Sequence, residues 1–277
     1  MSYKIGWFST GRDKAARDLL TVVWNAIEAR TIQAEIAFVF SSRARGEAEE
    51  SDVFFDLVSE YGIDLVCFPS KNFEPEMRRK GRKVPEILNQ WRRSYDREIM
   101  KRLDPYKADL NVLAGYMLIT GDDMCRKYDM INLHPAAPGG PKGTWQEVIW
   151  QLIEARAEHT GVMIHLVTEV LDEGPPIAYC TFPIRGGIFD ERWEDMERKF
   201  KDKSLSQIER EEGEDEPLFR EIRRQGVIRE LPLLVHTIKV FAEEKIRIRE
   251  KKVFARGEVL EGGYDLTEAI NRIGEAT

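Results

Sequence analysis

The feature that most limits how this chain can fold is a rhythm. Short apolar runs of strand length alternate with segments of helical periodicity through the first two-thirds of the 277 residues. The runs fall at 4–8, 34–40, 65–68, 110–114, 130–133, 162–167 and 177–182. Runs this apolar suit strands covered on both faces, and strands joined through helices pair in parallel. Between the first two runs, Leu19, Val22, Val23, Ala26 and Ile27 mark one face of a helix; Trp145, Val148, Ile149, Leu152 and Ile153 repeat the stripe later. We read both stripes as core. The expected fold is α/β: a Rossmann-like, mostly parallel twisted sheet flanked by helices.

Beyond this rhythm the composition shifts. Well over half of residues 189–224 are charged, so this stretch is expected to bury little apolar surface and to be an exposed helix or an excursion, anchored by Trp193, Met196, Phe200 and Leu205. A last amphipathic helix is marked by Leu231, Leu234, Val235, Ile238 and Ala242, and residues 245–259 read as alternating strand with turns at Gly257, Gly262 and Gly263. The simplest organisation is one domain over 1–277, with a core at 1–185 and a charged insertion, C-terminal helix and β-hairpin extension at 186–277.

Charge and cysteine usage exclude several classes. A net charge of -7 argues against a nucleic-acid binder, which needs a basic surface. Arg78, Arg79, Lys80, Arg82 and Lys83 around Gly81 form one local basic cluster, read as a solvated loop or an anion contact. Cys67, Cys125 and Cys180 are odd in number and widely spaced, so neither a disulfide framework nor a zinc site is expected, and no metal is called for. No run reaches the ~18 apolar residues of a membrane-crossing helix, and Met1-Ser2-Tyr3-Lys4 lacks a secretory profile. A cytoplasmic protein without membrane partners is expected. Its oligomeric state, a homodimer included, is left open.

Two segments carry chemistry. Ile131-Asn132-Leu133-His134-Pro135 and Leu171-Asp172-Glu173-Gly174-Pro175 each end an apolar run at a turn. An amide, an imidazole and a carboxylate at such edges can polarise a carbonyl, move a proton and orient the proton carrier, as acyl transfer to an amine requires. A lone His after a strand is ordinarily structural; its pairing with the Asn and Asp segments favours function. His165 is read as lining the site or as a core histidine, and His159 and His236 as structural or surface residues.

The Asn-x-His-Pro stretch, followed some forty residues later by Leu-Asp-x-Gly-Pro, resembles the signature of the folate-dependent formyltransferase family. Within that family the order of the pieces is most similar to the branch acting on glycinamide ribonucleotide. Ile5-Gly6-Trp7-Phe8-Ser9-Thr10-Gly11 resembles the first strand and phosphate loop, and Val112-Leu113-Ala114-Gly115-Tyr116-Met117 the strand and loop that receive the pterin. The likeness is good over residues 3–185 and loose beyond.

The resemblance implies transfer of a formyl group from 10-formyltetrahydrofolate, as co-substrate, to a small phosphorylated amine. His134 would be the general acid/base, Asn132 the oxyanion donor and Asp172 the group that orients His134. Ser9, Thr10, Gly11 and Arg12, with Arg92, would meet the acceptor; Met117, Leu118, Ile119, Thr120 and His165 would meet the folate. The match of the phosphate loop is partial, with fewer glycines than the family's, and a departure that touches the acceptor side is the replacement of the family's His-Pro-Ser-Leu-Leu-Pro by His134-Pro135-Ala136-Ala137-Pro138. Another amine, such as an amino-sugar nucleotide, or folate and nucleotide binding without catalysis, are the alternative readings.

Overall fold

The structure is a computed structural model describing residues 2–274. It divides into two compact units, one made of Met1–Asn132, Leu166–Pro175 and Ile238–Val259, the other of Leu133–His165, Pro176–Thr237 and Leu260–Thr277.

The first unit opens with β1 (Tyr3–Ser9), α1 (Lys14–Glu28), β2 (Ala34–Ser41), α2 (Glu49–Glu60) and β3 (Leu65–Cys67). It continues through α3 (Pro75–Gly81), α4 (Pro85–Leu103), β4 (Leu110–Leu113) and α5 (Asp122–Lys127) to β5 (Met130–His134), within which the chain leaves it. These five strands lie in the order β5-β4-β1-β2-β3, all parallel. On one face of these strands Phe8, Phe38 and Phe40 meet Trp91, Tyr95, Ile99 and Leu103 of α4, whose four-residue spacing keeps them on one side of the helix. Each such burial contributes roughly 1.5–3 kcal/mol. Gly6 permits the close approach of neighbours: a Cβ there would stand 2.1 Å from Asn111 Oδ1. The α1 stripe sits a step away from the expected one, with Ala16, Leu20 and Val23 fully buried.

In the second unit, α6 (Trp145–Glu154) leads to β6 (His159–Leu166) and β7 (Pro176–Pro183), an antiparallel pair. The charged stretch then forms α7 (Asp190–Asp202), α8 (Leu205–Glu212) and the start of α9 (Pro217–Ala242). Contrary to the compositional expectation, it is part of the core. Trp193, Met196, Ile208, Leu218, Phe219 and Ile222 are buried in one cluster with Val148, Ile149, Leu152 and Ile153 of α6. The few apolar residues recur at helical spacing, so one face is continuous although the average is polar. Fully buried Glu216 is satisfied twice, by Lys199 Nζ at 3.0 Å and by the N–H of Phe219 at 2.7 Å. Helix α9 runs 26 residues with Pro232 inside it, joining the end of the charged stretch to the expected last amphipathic helix.

The expected C-terminal β-hairpin extension is present as a three-stranded meander, β8 (Ile246–Arg249), β9 (Lys252–Ala255) and β10 (Glu258–Val259). Its first turn uses Glu250 and Lys251, both at positive φ, without the glycine that usually marks such a hairpin. Lys251 Nζ offsets the cost by donating to Tyr128 O and Asp129 Oδ1, at 2.8 and 2.7 Å. A short strand β11 (Tyr264–Asp265) adds parallel to β7, and α10 (Thr267–Gly274) follows. No helix among the described residues is long and apolar enough to cross a membrane.

Candidate active site

In the first unit the loop after β4 is held at both ends. At its start the N–H of Thr10 donates to Gly115 O and the N–H of Met117 donates to Thr10 Oγ1, both at 3.0 Å. At its end the N–H of Gly121 donates to Asp96 Oδ2, and Thr120 Oγ1 lies 3.3 Å from Cys125 Sγ. Between these anchors Met117 and Ile119 are 51% and 41% exposed, while Leu118 is half-buried and Thr120 buried. Two large apolar side chains therefore face outward from a backbone fixed at both ends.

A second apolar lip in the same unit carries Asp172. The N–H of Val167 donates to Met130 O at 2.8 Å, Cys125 Sγ donates to Thr168 O at 3.5 Å, and Arg126 pairs with Glu169 at 2.9 Å. The N–H of Leu166 closes the neck of the turn on Pro175 O, and a Cβ at Gly174 would stand 1.6 Å from Leu166 O. At the tip Val170 and Leu171 are more than half exposed, and Asp172 adopts φ +54°. That left-handed conformation costs of order 1 kcal/mol for a side-chain-bearing residue and is best tolerated by Asp and Asn. Asn132 is half-buried on β5, opposite Leu113 of β4.

Residues 9–13 are largely satisfied internally. Ser9 and Thr10 are buried, Ser9 Oγ accepts the N–H of Gly11 at 3.1 Å, and Ser51 Oγ donates to Thr10 O at 3.2 Å. Asp13 caps α1, accepting the N–H of Ala16 at 3.0 Å, and its carboxylate takes the position at the helix N-terminus that an anionic ligand would favour. Arg12 is half exposed and pairs with Asp13 at 3.1 Å. Arg92, half-buried on α4, donates to Asn89 Oδ1 at 3.0 Å. The basic cluster ends α3; there Arg79 pairs with Glu76, and Arg78 stacks over Trp91 at 4.9 Å and donates to Ser70 Oγ. Burial and the neighbouring Arg82 lower the pKa of Arg78 from its ordinary value.

The second unit holds both buried imidazoles, His134 at the end of β5 and His165 on β6, with ring centroids 6.2 Å apart and planes at 88°. His134 Nε2 lies 3.0 Å from Pro141 O. A carbonyl only accepts, so this contact places the proton of the neutral ring on Nε2 and leaves Nδ1 with its lone pair. The loop that returns Pro141 uses Gly139 and Gly143, both at positive φ. Asn132 and His134 are two residues apart on β5 and so project from the same face of that strand.

Comparison with known proteins decides the family. The sequence pattern described as formyl transferase matches residues 14–209. A phosphoribosylglycinamide formyltransferase of Schizosaccharomyces pombe is 30% identical over 55% of this chain and 77% of its own length. The chain belongs to the formyl transferase family. A formyltransferase of Escherichia coli, also named for phosphoribosylglycinamide, is 35% identical over 35% of this chain and 45% of its own. Among solved structures, a phosphoribosylglycinamide formyltransferase of Coxiella burnetii has a TM-score of 0.66 at 19% identity, covering 96% of this chain and 99% of that one. A formyltetrahydrofolate deformylase of Pseudomonas syringae has a TM-score of 0.55 at 19% identity, over 92% of this chain and 66% of that one. These structural likenesses confirm the expected formyl transferase fold, a mostly parallel sheet flanked by helices. The sequence reading missed Asp96, Cys125, Val170 and Leu171, which support or extend the two apolar lips; an acid one position from the buried Tyr95 was the available signal for Asp96.

Proposed function

We propose that this protein transfers the formyl group of 10-formyltetrahydrofolate to the primary amine of glycinamide ribonucleotide, a step of de novo purine synthesis. The observation that carries the reading is the buried imidazole of His134, its tautomer set by Pro141 O, in the Asn-x-His-Pro segment of a formyl transferase family member. The amine nitrogen attacks the formyl carbon, Asn132 donates to the developing oxyanion, and the bond to N10 breaks as N10 gains a proton and the amine loses one. His134 moves the proton, and the family signature implies for Asp172 the role of orienting it. The exposed apolar pairs Met117 and Ile119, and Val170 and Leu171, supply the surface for the pterin, with Leu118 and Thr120 of the same unit completing it; His165 is the further folate residue that the family likeness implies. On the acceptor side Arg12 and Arg92 supply the cationic contacts for a phosphate, while Ser9, Thr10 and Gly11 hold the loop that presents Arg12.

The names of the curated relatives favour glycinamide ribonucleotide over other amines. Incubating purified protein with 10-formyltetrahydrofolate and a panel of phosphorylated amines tests both halves of the reaction. Saturable formylation of glycinamide ribonucleotide is the expected result. Formylation of a different amine would replace the acceptor, and donor turnover with water alone would replace transfer by hydrolysis.

A further inference from the structure

One buried acid is not used by the chemistry above. Asp96 on α4 is 2% exposed, and its Oδ2 accepts the N–H of Gly121, which closes the apolar loop. A Cβ on Gly121 would stand 2.9 Å from that oxygen, so the carboxylate lies close against the Gly121 backbone. Among the described residues no cation lies at ion-pair distance from Asp96, and the loop's opposite end is held on Thr10. The groups facing the carboxylate are Arg92 and Tyr95 of α4, Tyr116 of the loop, and Asp123 and Cys125 of α5. The Tyr116 hydroxyl is buried with no hydrogen-bond partner among the described residues.

A neutral amide would close the loop at lower desolvation cost than a buried carboxylate. We propose that Asp96 is a positioning residue for the folate donor: its charge fixes the loop that carries Met117 and Ile119, and donor affinity follows its ionisation. The inference rests on the donor reading of that loop. Burial raises the pKa of Asp96 to about 7, against the opposing pull of the Gly121 N–H and Arg92. Above that pH the carboxylate is a strong acceptor for Gly121; below it the acid is a weaker one.

The test measures tetrahydrofolate binding by calorimetry to wild type and to Asp96→Asn from about pH 5.5 to 8.5. Exchange of the Gly121 amide is followed in the same samples, corrected for its intrinsic pH dependence. For wild type, affinity should fall about tenfold as pH drops through the titration, the equivalent of a one-unit change in pKa on binding, with faster Gly121 exchange. Asp96→Asn should show one affinity throughout. If that variant does not fold, the wild-type series alone decides. A wild-type affinity and Gly121 protection both indifferent to pH overturn the proposal while leaving the donor reading intact. Wild type that binds no reduced folate at any pH, its Gly121 exchange still following pH, overturns the donor reading and the proposed role together.

Discussion

The loops that leave β1 and β4 start from the carboxyl ends of two paired parallel strands, where ligands of open α/β sheets bind, yet they differ in what they present. After β1 the chain satisfies itself: Gly11 donates to Ser9, Thr10 donates to Gly115, and Asp13 caps α1, which leaves Arg12 as the outward-facing side chain. After β4 the backbone is pinned at both ends while Met117 and Ile119 face outward. The first loop is also a support for the second, since Thr10 makes both bonds at its start. Position beyond a strand end therefore does not by itself make a binding loop. What decides is which groups remain unspent once internal hydrogen bonds are made.

Under the proposed function the two loops bind and His134, outside both, moves the proton, so the largest effect should fall on His134. His134→Ala is expected to lower kcat by roughly 10²–10⁴-fold, the range for an acid/base group, with tetrahydrofolate affinity within about threefold of wild type. Asp172→Asn should lose about 10²-fold. Steady-state kinetics with near-normal turnover for His134→Ala would remove the proposed chemistry.

The closed loop should resist change through the fold. Gly11→Val places a β-branched residue at φ +62° with its Cβ 2.7 Å from the Phe54 ring, and should destabilise by ~3 kcal/mol in urea titration. Because Thr10 would shift with it, donor affinity should fall as well. A variant as stable as wild type would show that this loop is not locked.

In the open loop the same kind of change should spare stability and cost binding. Met117→Ser combined with Ile119→Ser should raise the donor's KM by about 10- to 100-fold through lost apolar contact, with stability within ~0.5 kcal/mol. A larger effect on the acceptor's KM would reassign the loop. The smallest effect belongs to Arg12→Ala. Its ion pair with Asp13 is half exposed, so stability should change by less than ~0.5 kcal/mol, while the acceptor's KM rises about fivefold through loss of a charge-assisted contact. No change in that KM would leave the phosphate to Arg92 or to another cation.

Much of this was legible because the relevant information is local. The parallel strands β1–β5 are mostly apolar, so their runs stand out without knowledge of their partners, and each lies within a residue or so of its expected bounds. The stretch 189–224 was misread because composition averages over faces, whereas Trp193, Met196 and Phe200 are placed by helical spacing. The turn at Glu250 and Lys251 carries no local signal at all; it is stabilised by contacts with Tyr128 and Asp129, more than a hundred residues earlier.

By itself the sequence determined the parallel α/β architecture, since strand and helix periods are written in neighbouring residues, and it determined the chemical types available on β5 and in the turn after β6, Asn132, His134 and Asp172. The tertiary structure alone decided which loops are spent and which are open. Met117 bonds a hydroxyl 107 positions away, and Gly121 bonds an acid 25 positions away that reads as one charge in a charged helix. A hydrogen bond between distant residues leaves no periodicity in the chain. Its partners, and the burial that gives Asp96 its altered acidity, exist only once the helices are packed on the sheet.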